Sequence, residues 1–422
     1  MTRARPRFAQ PRRQNDRVDT LRRRLAAYRM PRRLQVVLTV LFALAAVAGT
    51  AWVSLAAAAT WPPVDYSVFG RPGADILTLQ WGRVFADPVL QAGPFELVFW
   101  GIPFLLQVEG ATAWAVYYAA TGLVIAGAFG YVVFRLVRPV AADLAAPLGA
   151  FVAAAAVLST TIVQTIESGH PSESVVPLMW MVAAVLARRD RPALAAGLVG
   201  LTVGWELWGL LGLPVLLLAP RIRWRTVVWS AVGGVAALLL VFGPFALAGP
   251  VSMFGYAWEV REGTLVHLLL PDAATFPWPI RVAQGAVALG AGAATAWFLR
   301  GMRDAVWLVP LVSLAVRLLT DPILASYYYA PAILLALAGL ALALAQASLV
   351  RLVLVVVLLN AMIDFQALGW IGAAATLAAT VVTIVVLALR RRREGLPAHP
   401  WPGAFLPAAA ATRSASPGGG AD

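Results

Sequence analysis

The chain has 422 residues, is 61% hydrophobic and carries a formal net charge of +13, with a mean hydropathy of +0.79. Soluble domains are nearer half apolar and break up their apolar runs, so an ordinary water-soluble protein is excluded and a polytopic membrane protein is indicated. The charge does not mark a nucleic-acid binder: all 33 basic residues are Arg, and they gather beside apolar runs, where charge sets orientation and attracts anionic lipid head groups.

In hydrocarbon only helices and closed barrels satisfy the backbone. The strict alternation of a barrel is absent, so the expected fold is all-α, a bundle of about ten transmembrane helices plus half-spanning segments. Cysteine is absent, which removes disulfides and cysteine metal sites and leaves the redox compartment open. Heavy Ala and Arg use without Lys resembles the output of a GC-rich bacterial genome, which sets the expected location in a bacterial plasma membrane.

In chain order, residues 1–33 hold twelve Arg and read as a basic, disordered cytoplasmic arm. The first apolar run, 34–59, has no convincing cleavage site and reads as an anchor rather than a signal peptide. Residues 34–390 form the transmembrane domain, with a first outer loop at 60–93 and another at 250–279; residues 391–422 are a disordered cytoplasmic tail. Residues 94–108 are apolar but too short to cross, so they are expected to span halfway.

Further spans are expected at 111–134, 146–166, 173–187, 226–248, 280–299, 304–320, 326–346, 352–368 and 371–389. Between Arg191 and Arg221 the apolar stretch is too short for two crossings, so 193–205 and 208–219 should form a hairpin with Glu206 near its apex. With both termini inside, 28 Arg fall on the cytoplasmic side and five outside (Arg71, Arg83, Arg261, Arg281 and Arg317), a strong positive-inside pattern. Twelve of the 20 acids then lie on or near the outer face: Asp65, Asp75, Asp87, Glu96, Glu109, Glu167, Glu173, Glu259, Glu262, Asp272, Asp321 and Asp364. His170 and His267 join them, so the ionisable chemistry gathers on one side of the membrane.

Four clusters stand out. In T-I-E-S-G-H-P-S-E, a plain outer turn explains Gly169 as a helix end, Pro171 as a helix start and Glu173 in the first turn. It does not explain Glu167, an acid at a helix C-terminus, or His170; carboxylates at this depth tend to mark sites. In R-L-L-T-D-P-I-L-A-S-Y-Y-Y, Arg317 and Asp321 stand at i and i+4 and form either an internal ion pair or a site, since a guanidinium suits two phosphate oxygens. Tyr328 lies in the adjoining tyrosine run, which also suits a membrane-interface belt.

The first outer loop offers Asp65 and Asp75 as candidate general bases, with Arg71 and Arg83 near them. Asp65 follows the first span, while Asp75 opens an apolar-periodic segment and is equally an N-cap. Position alone does not choose between the two. Finally, G-W-E-L-W-G sets Glu206 between Trp205 and Trp208. No phosphate loop, dinucleotide glycine pattern or H-E-x-x-H motif is present, and no spacing marks a metal site, although carboxylates are able to hold a divalent ion.

The runs G-H-P-S-E, R-R-D-R-P-A-L-A-A-G-L-V-G-L, L-G-L-P-V-L-L-L-A-P-R and R-L-L-T-D-P with Y-Y-Y resemble the polytopic glycosyltransferases of the GT-C class. The nearest group is the GT87-like one, which includes polyprenyl-phosphate-mannose-dependent mannosyltransferases. The likeness covers about residues 60–350 and lies in architecture and spacing. It implies a GT-C-like fold, a polyprenyl-phosphate-linked sugar donor, a glycan or glycolipid acceptor, and inverting transfer on the extracytoplasmic face without a required metal. The essential Asp of the first outer loop would fall best on Asp75, with Asp65 behind it. Arg317, supported by Arg71 or Arg83, would meet the leaving phosphate. Glu167, His170, Glu173 and Glu206 would line the sugar or acceptor pocket. Two departures are Glu206, where the class often has a basic residue, and G-A-D in place of a G-D-aromatic pattern. The alternative reading is a secondary transporter or lipid flippase, which the lack of a clear internal repeat disfavours.

Overall fold

The computed structural model describes residues 30–60, 62–220, 222, 224–364 and 366–393. The expected arm and tail lie outside the described residues except at their inner ends. Helix accounts for 77% of the structure and strand for 2%, as the hydropathy pattern requires.

The chain runs α1 (Arg32–Ala57), α2 (Tyr66–Leu77), α3 (Pro94–Leu105), α4 (Ala111–Val137), α5 (Ala145–Leu158), α6 (Thr161–Glu167), α7 (Ser172–Arg188) and α8 (Pro192–Thr202). A 3₁₀ segment (Leu207–Leu218) then leads to α9 (Trp224–Ala248), β1 (Ala257–Glu259), α10 (Leu265–Leu269), β2 (Thr275–Pro277) and α11 (Trp278–Leu299). The remaining helices are α12 (Ala305–Thr320), α13 (Ala330–Ala345), α14 (Leu349–Asp364) and α15 (Trp370–Arg393). The two strands pair antiparallel, with Trp258 opposite Phe276, and make a small ribbon in the 250–279 loop.

Six described helical segments are long and apolar enough to cross a membrane, or seven if α5 and α6, bent by 47°, count as one. Against the expectation of about ten, α7, α12 and α14 have only 16 or 17 residues. At 1.5 Å per residue that is about 25 Å, short of a bilayer core of about 30 Å. The outer helices α1 and α9 turn large apolar side chains outward, among them Trp52, Leu239, Leu240 and Leu247. Such a surface suits lipid and would aggregate in water. By contrast α12 and α13 are buried almost all round, the pattern of central helices.

Two features of this frame position the site. Helices α2 and α3 touch backbone to backbone: a Cβ on Gly73 would come 1.9 Å from the Leu97 carbonyl oxygen, and one on Gly101 would come 2.3 Å from the Gly73 carbonyl carbon. Small residues permit this approach as they do between membrane helices. The segment before α3 also pairs with the hairpin apex, through Gly93 N–H to Trp205 O at 2.8 Å and a bridge between Ala92 and Glu206. The expected hairpin is present, but its second arm is 3₁₀ rather than α-helical. Leu207–Leu218 contains Gly209, Gly212 and Pro214, and Trp180 presses on Gly212 so closely that a Cβ there would come 2.1 Å from the indole nitrogen.

Candidate functional site

The turn between α6 and α7 is built as its residues dictate. Gly169 takes φ +96°, the left-handed region that favours glycine. Trp100 donates its indole N–H to the Gly169 carbonyl at 2.8 Å, fixing the turn against α3. His170 follows, Pro171 precedes the first residue of α7, and Glu173 lies in that helix's first turn.

His170 is the hub. Its Nε2 lies 2.8 Å from Asp65 Oδ2. Its Nδ1 lies 3.3 Å from Glu206 Oε1 and 3.6 Å from Glu96 Oε1. The ring stacks on Tyr327 at 4.7 Å and 12° and meets the edge of Phe69 at 5.6 Å. Asp65 precedes α2 but caps none of its N–H groups, so its carboxylate is left for the histidine. Burial disfavours the imidazolium, yet the carboxylates of Asp65, Glu206 and Glu96 outweigh that and hold His170 well above the ordinary histidine range. The donor atoms of Glu96, His170 and Glu206 all lie within 4.8 Å of one another.

Three residues on, in the first turn of α7, a second network begins. Glu173 Oε1 stands 3.6 Å from Arg317 Nη2, Arg317 Nε stands 3.5 Å from Asp321 Oδ2, and Arg281 Nη1 stands 3.1 Å from that same oxygen. The Arg317 guanidinium lies over the Trp208 ring at 4.5 Å and the Tyr328 ring at 5.0 Å. Its Nε and Nη1 are buried and form no hydrogen bond. Arg281 packs over Trp258 of the β1–β2 ribbon at 4.9 Å. Neighbouring tyrosines thus serve the two networks, Tyr327 on the histidine and Tyr328 on the arginine, which sets them apart from an interface belt.

The structure therefore brings together Asp65, His170, Glu173, Glu206, Arg317, Asp321 and Tyr328. It leaves the other sequence-selected residues apart. Asp75 lies in the last turn of α2 and opens no helix, ten residues from Asp65 and so about 15 Å along the axis. Its carboxylate pairs with no other side chain among the described residues. Arg71 is exposed, and Arg83 donates to Gln80 Oε1 at 3.1 Å. Glu167 accepts from Thr60 Oγ1 at 2.9 Å, which ties α1 to α6 and keeps it out of the cluster.

Sequence reasoning missed Glu96, Arg281 and Tyr327 as site residues. Glu96 is fully buried, accepts from Ser172 Oγ at 3.1 Å and leaves Oε2 without a partner. The signal for it was one acid in the otherwise apolar run P-F-E-L-V-F-W. No protein-family model matches the chain, and no curated protein matches it.

Proposed function

We propose that the chain is an integral membrane glycosyltransferase. In this reading it moves a mannose-like hexose from a polyprenyl-phosphate donor to a glycan or glycolipid acceptor outside the bacterial plasma membrane, with inversion. The observation that carries the reading is a partly exposed carboxylate, Asp65, held by His170 one helical turn from the Glu173–Arg317 pair. Base and cation are what an inverting displacement at an anomeric carbon needs when a phosphate leaves.

In the proposed step Asp65 takes the proton of the acceptor hydroxyl. The hydroxyl oxygen bonds to the anomeric carbon as that carbon's bond to the phosphate oxygen breaks. The polyprenyl phosphate leaves with the electron pair. Arg317 offers Nη1 to the departing oxygens, its Nε being paired with Asp321, and Arg281 shares that aspartate. Glu206 and Tyr327 border the sugar, and the lipid tail runs among the spans. Asp65 is preferred to Asp75 because it adjoins His170, three residues before the Glu173 that pairs with Arg317. The ten-span topology with cytoplasmic termini belongs to this proposal, supported by the asymmetry of Arg.

The test is transfer of radiolabel from polyprenyl-phosphate sugars to membrane extracts by the protein in nanodiscs. Label moving to product with wild type, and not with Asp65→Asn of equal folding, supports the reading. A second reading, a transporter or flippase, draws on the 47° break between α5 and α6, since interrupted helices recur in transporters. Passage of lipid or solute through proteoliposomes without sugar transfer would favour it.

A further inference from the structure

We propose that Glu96, His170 and Glu206 form a binding site for one divalent first-row transition cation of the zinc or manganese type, with Asp65 orienting the histidine from behind. The argument starts at the imidazole. Its Nε2 sits 2.8 Å from Asp65 Oδ2, a short charge-assisted hydrogen bond that draws the ring proton to Nε2. The second ring proton, on Nδ1, faces two carboxylates, and a cation that replaces it meets the Nδ1 lone pair there.

The spacing on that side fits coordination better than hydrogen bonding. Nδ1 is 3.3 Å from Glu206 Oε1 and 3.6 Å from Glu96 Oε1, and the longer of these exceeds a hydrogen bond. Metal–nitrogen and metal–oxygen bonds of about 2.0–2.2 Å set tetrahedral donors about 3.4 Å apart, close to both separations. Two carboxylates this close to Nδ1 call for positive charge between them, which a bound cation supplies when it displaces the ring proton.

A second, independent observation points to a ligand. Glu96 is wholly buried, yet its Oε2 has no hydrogen-bond partner. An unsatisfied buried carboxylate oxygen is costly, and a cation held by both oxygens of Glu96 would satisfy it. The nearest buried guanidinium, Arg317 of α12, is paired with Glu173 and Asp321 instead. One imidazole and two carboxylates resemble open zinc sites that keep a free position, and the imidazole selects against magnesium and calcium. Asp65 behind His170 completes the carboxylate–histidine–metal arrangement that fixes tautomer and ring orientation.

The site is tested without any sugar donor or acceptor, so its failure and the failure of the transfer reading are separable. The full chain, carrying an affinity tag free of histidine, is placed in nanodiscs, stripped with EDTA and dialysed against ZnCl2 or MnCl2. Metal is counted by mass spectrometry, and bound Mn2+ is examined by pulsed electron paramagnetic resonance. About one ion per chain is expected, with a nitrogen modulation from the imidazole. His170→Gln should abolish the modulation and weaken binding at least tenfold. The isosteric Glu96→Gln should also weaken it at least tenfold, and Asp65→Asn by about tenfold through the lost outer partner. Glu206→Gln, at a less buried position, covers the case in which Glu96→Gln does not fold. The proposal is overturned by occupancy far below one ion, or by full occupancy that survives in folded His170→Gln and Glu206→Gln. Either result would leave a proton on Nδ1 as the group bridging His170 to the carboxylates.

Discussion

Gly169 stands so close to Asp65 that a Cβ on the glycine would come 2.9 Å from the aspartate Cβ and 3.2 Å from its backbone nitrogen. Two demands meet at this position, since Gly169 also holds φ +96°. The contact joins the start of α2 to the α6–α7 turn and places Asp65 against His170 in the next position of the chain. Gly169→Ala should therefore cost about 1–2 kcal/mol from the left-handed backbone alone, with more from displacing Asp65. A thermal melt of the protein in detergent should show a Tm several degrees lower. Gly285→Ala is the control: that helical glycine has open space around a Cβ, and the change should be neutral or slightly stabilising. Equal melting of the two variants would mean that the turn yields freely.

Asp65 and Asp75 are separated by the same geometry. If Asp65 is the base, Asp65→Asn should lower transfer by about 10²–10⁴-fold, the usual worth of a positioned base. Asp75→Asn should stay within about threefold of wild type, the loss being confined to a carboxylate with no side-chain partner. Initial rates at saturating donor decide this. A profile with the losses exchanged would move the base to the far end of α2.

How much of this was legible in the sequence depended on the kind of signal. Apolar runs bounded by Arg located most helices to within a few residues, because burial in lipid leaves a long and redundant pattern. The 165–177 stretch was conspicuous because charge is rare there. Asp75 was misjudged as opening a helix because Gly70, Pro72 and Gly73 made α2 look like loop. Those residues instead form a short helix that the backbone contact with Gly101 stabilises. Glu96 is a single acid with no periodic neighbour, and it reaches His170 through contacts distant in sequence: Ala92 with Glu206, and Trp100 with Gly169. Arg281 looked like an ordinary outer charge because its partner Asp321 comes from another helix.

The buried pair Arg317–Glu173 should behave as a unit. Removing one charge strands the other in a dry site, at a cost of about 3–5 kcal/mol, whereas removing both together is often nearly neutral. Arg317→Met alone should destabilise strongly. Arg317→Met with Glu173→Gln should recover a measurable part, not all, because Asp321 retains only Arg281. Chemical denaturation of the four proteins in a double-mutant cycle gives the coupling. Strict additivity would mean that the 3.6 Å separation carries no interaction.

Orientation is open to a direct test because the chain has no cysteine of its own. Glu259 is the exposed residue of β1, and Arg189 is exposed at the end of α7. The topology proposed from the positive-inside distribution puts the first outside and the second in the cytoplasm. In intact cells Glu259→Cys should react with a membrane-impermeant maleimide, and Arg189→Cys should react only after permeabilisation. Both substitutions fall on solvent-facing side chains away from the His170 cluster, so each is expected within about 0.5 kcal/mol of wild type. The opposite labelling pattern would put Asp65 and His170 on the cytoplasmic face. A lipid-linked donor presented from outside would then be out of reach, and the proposed reaction would fail with it.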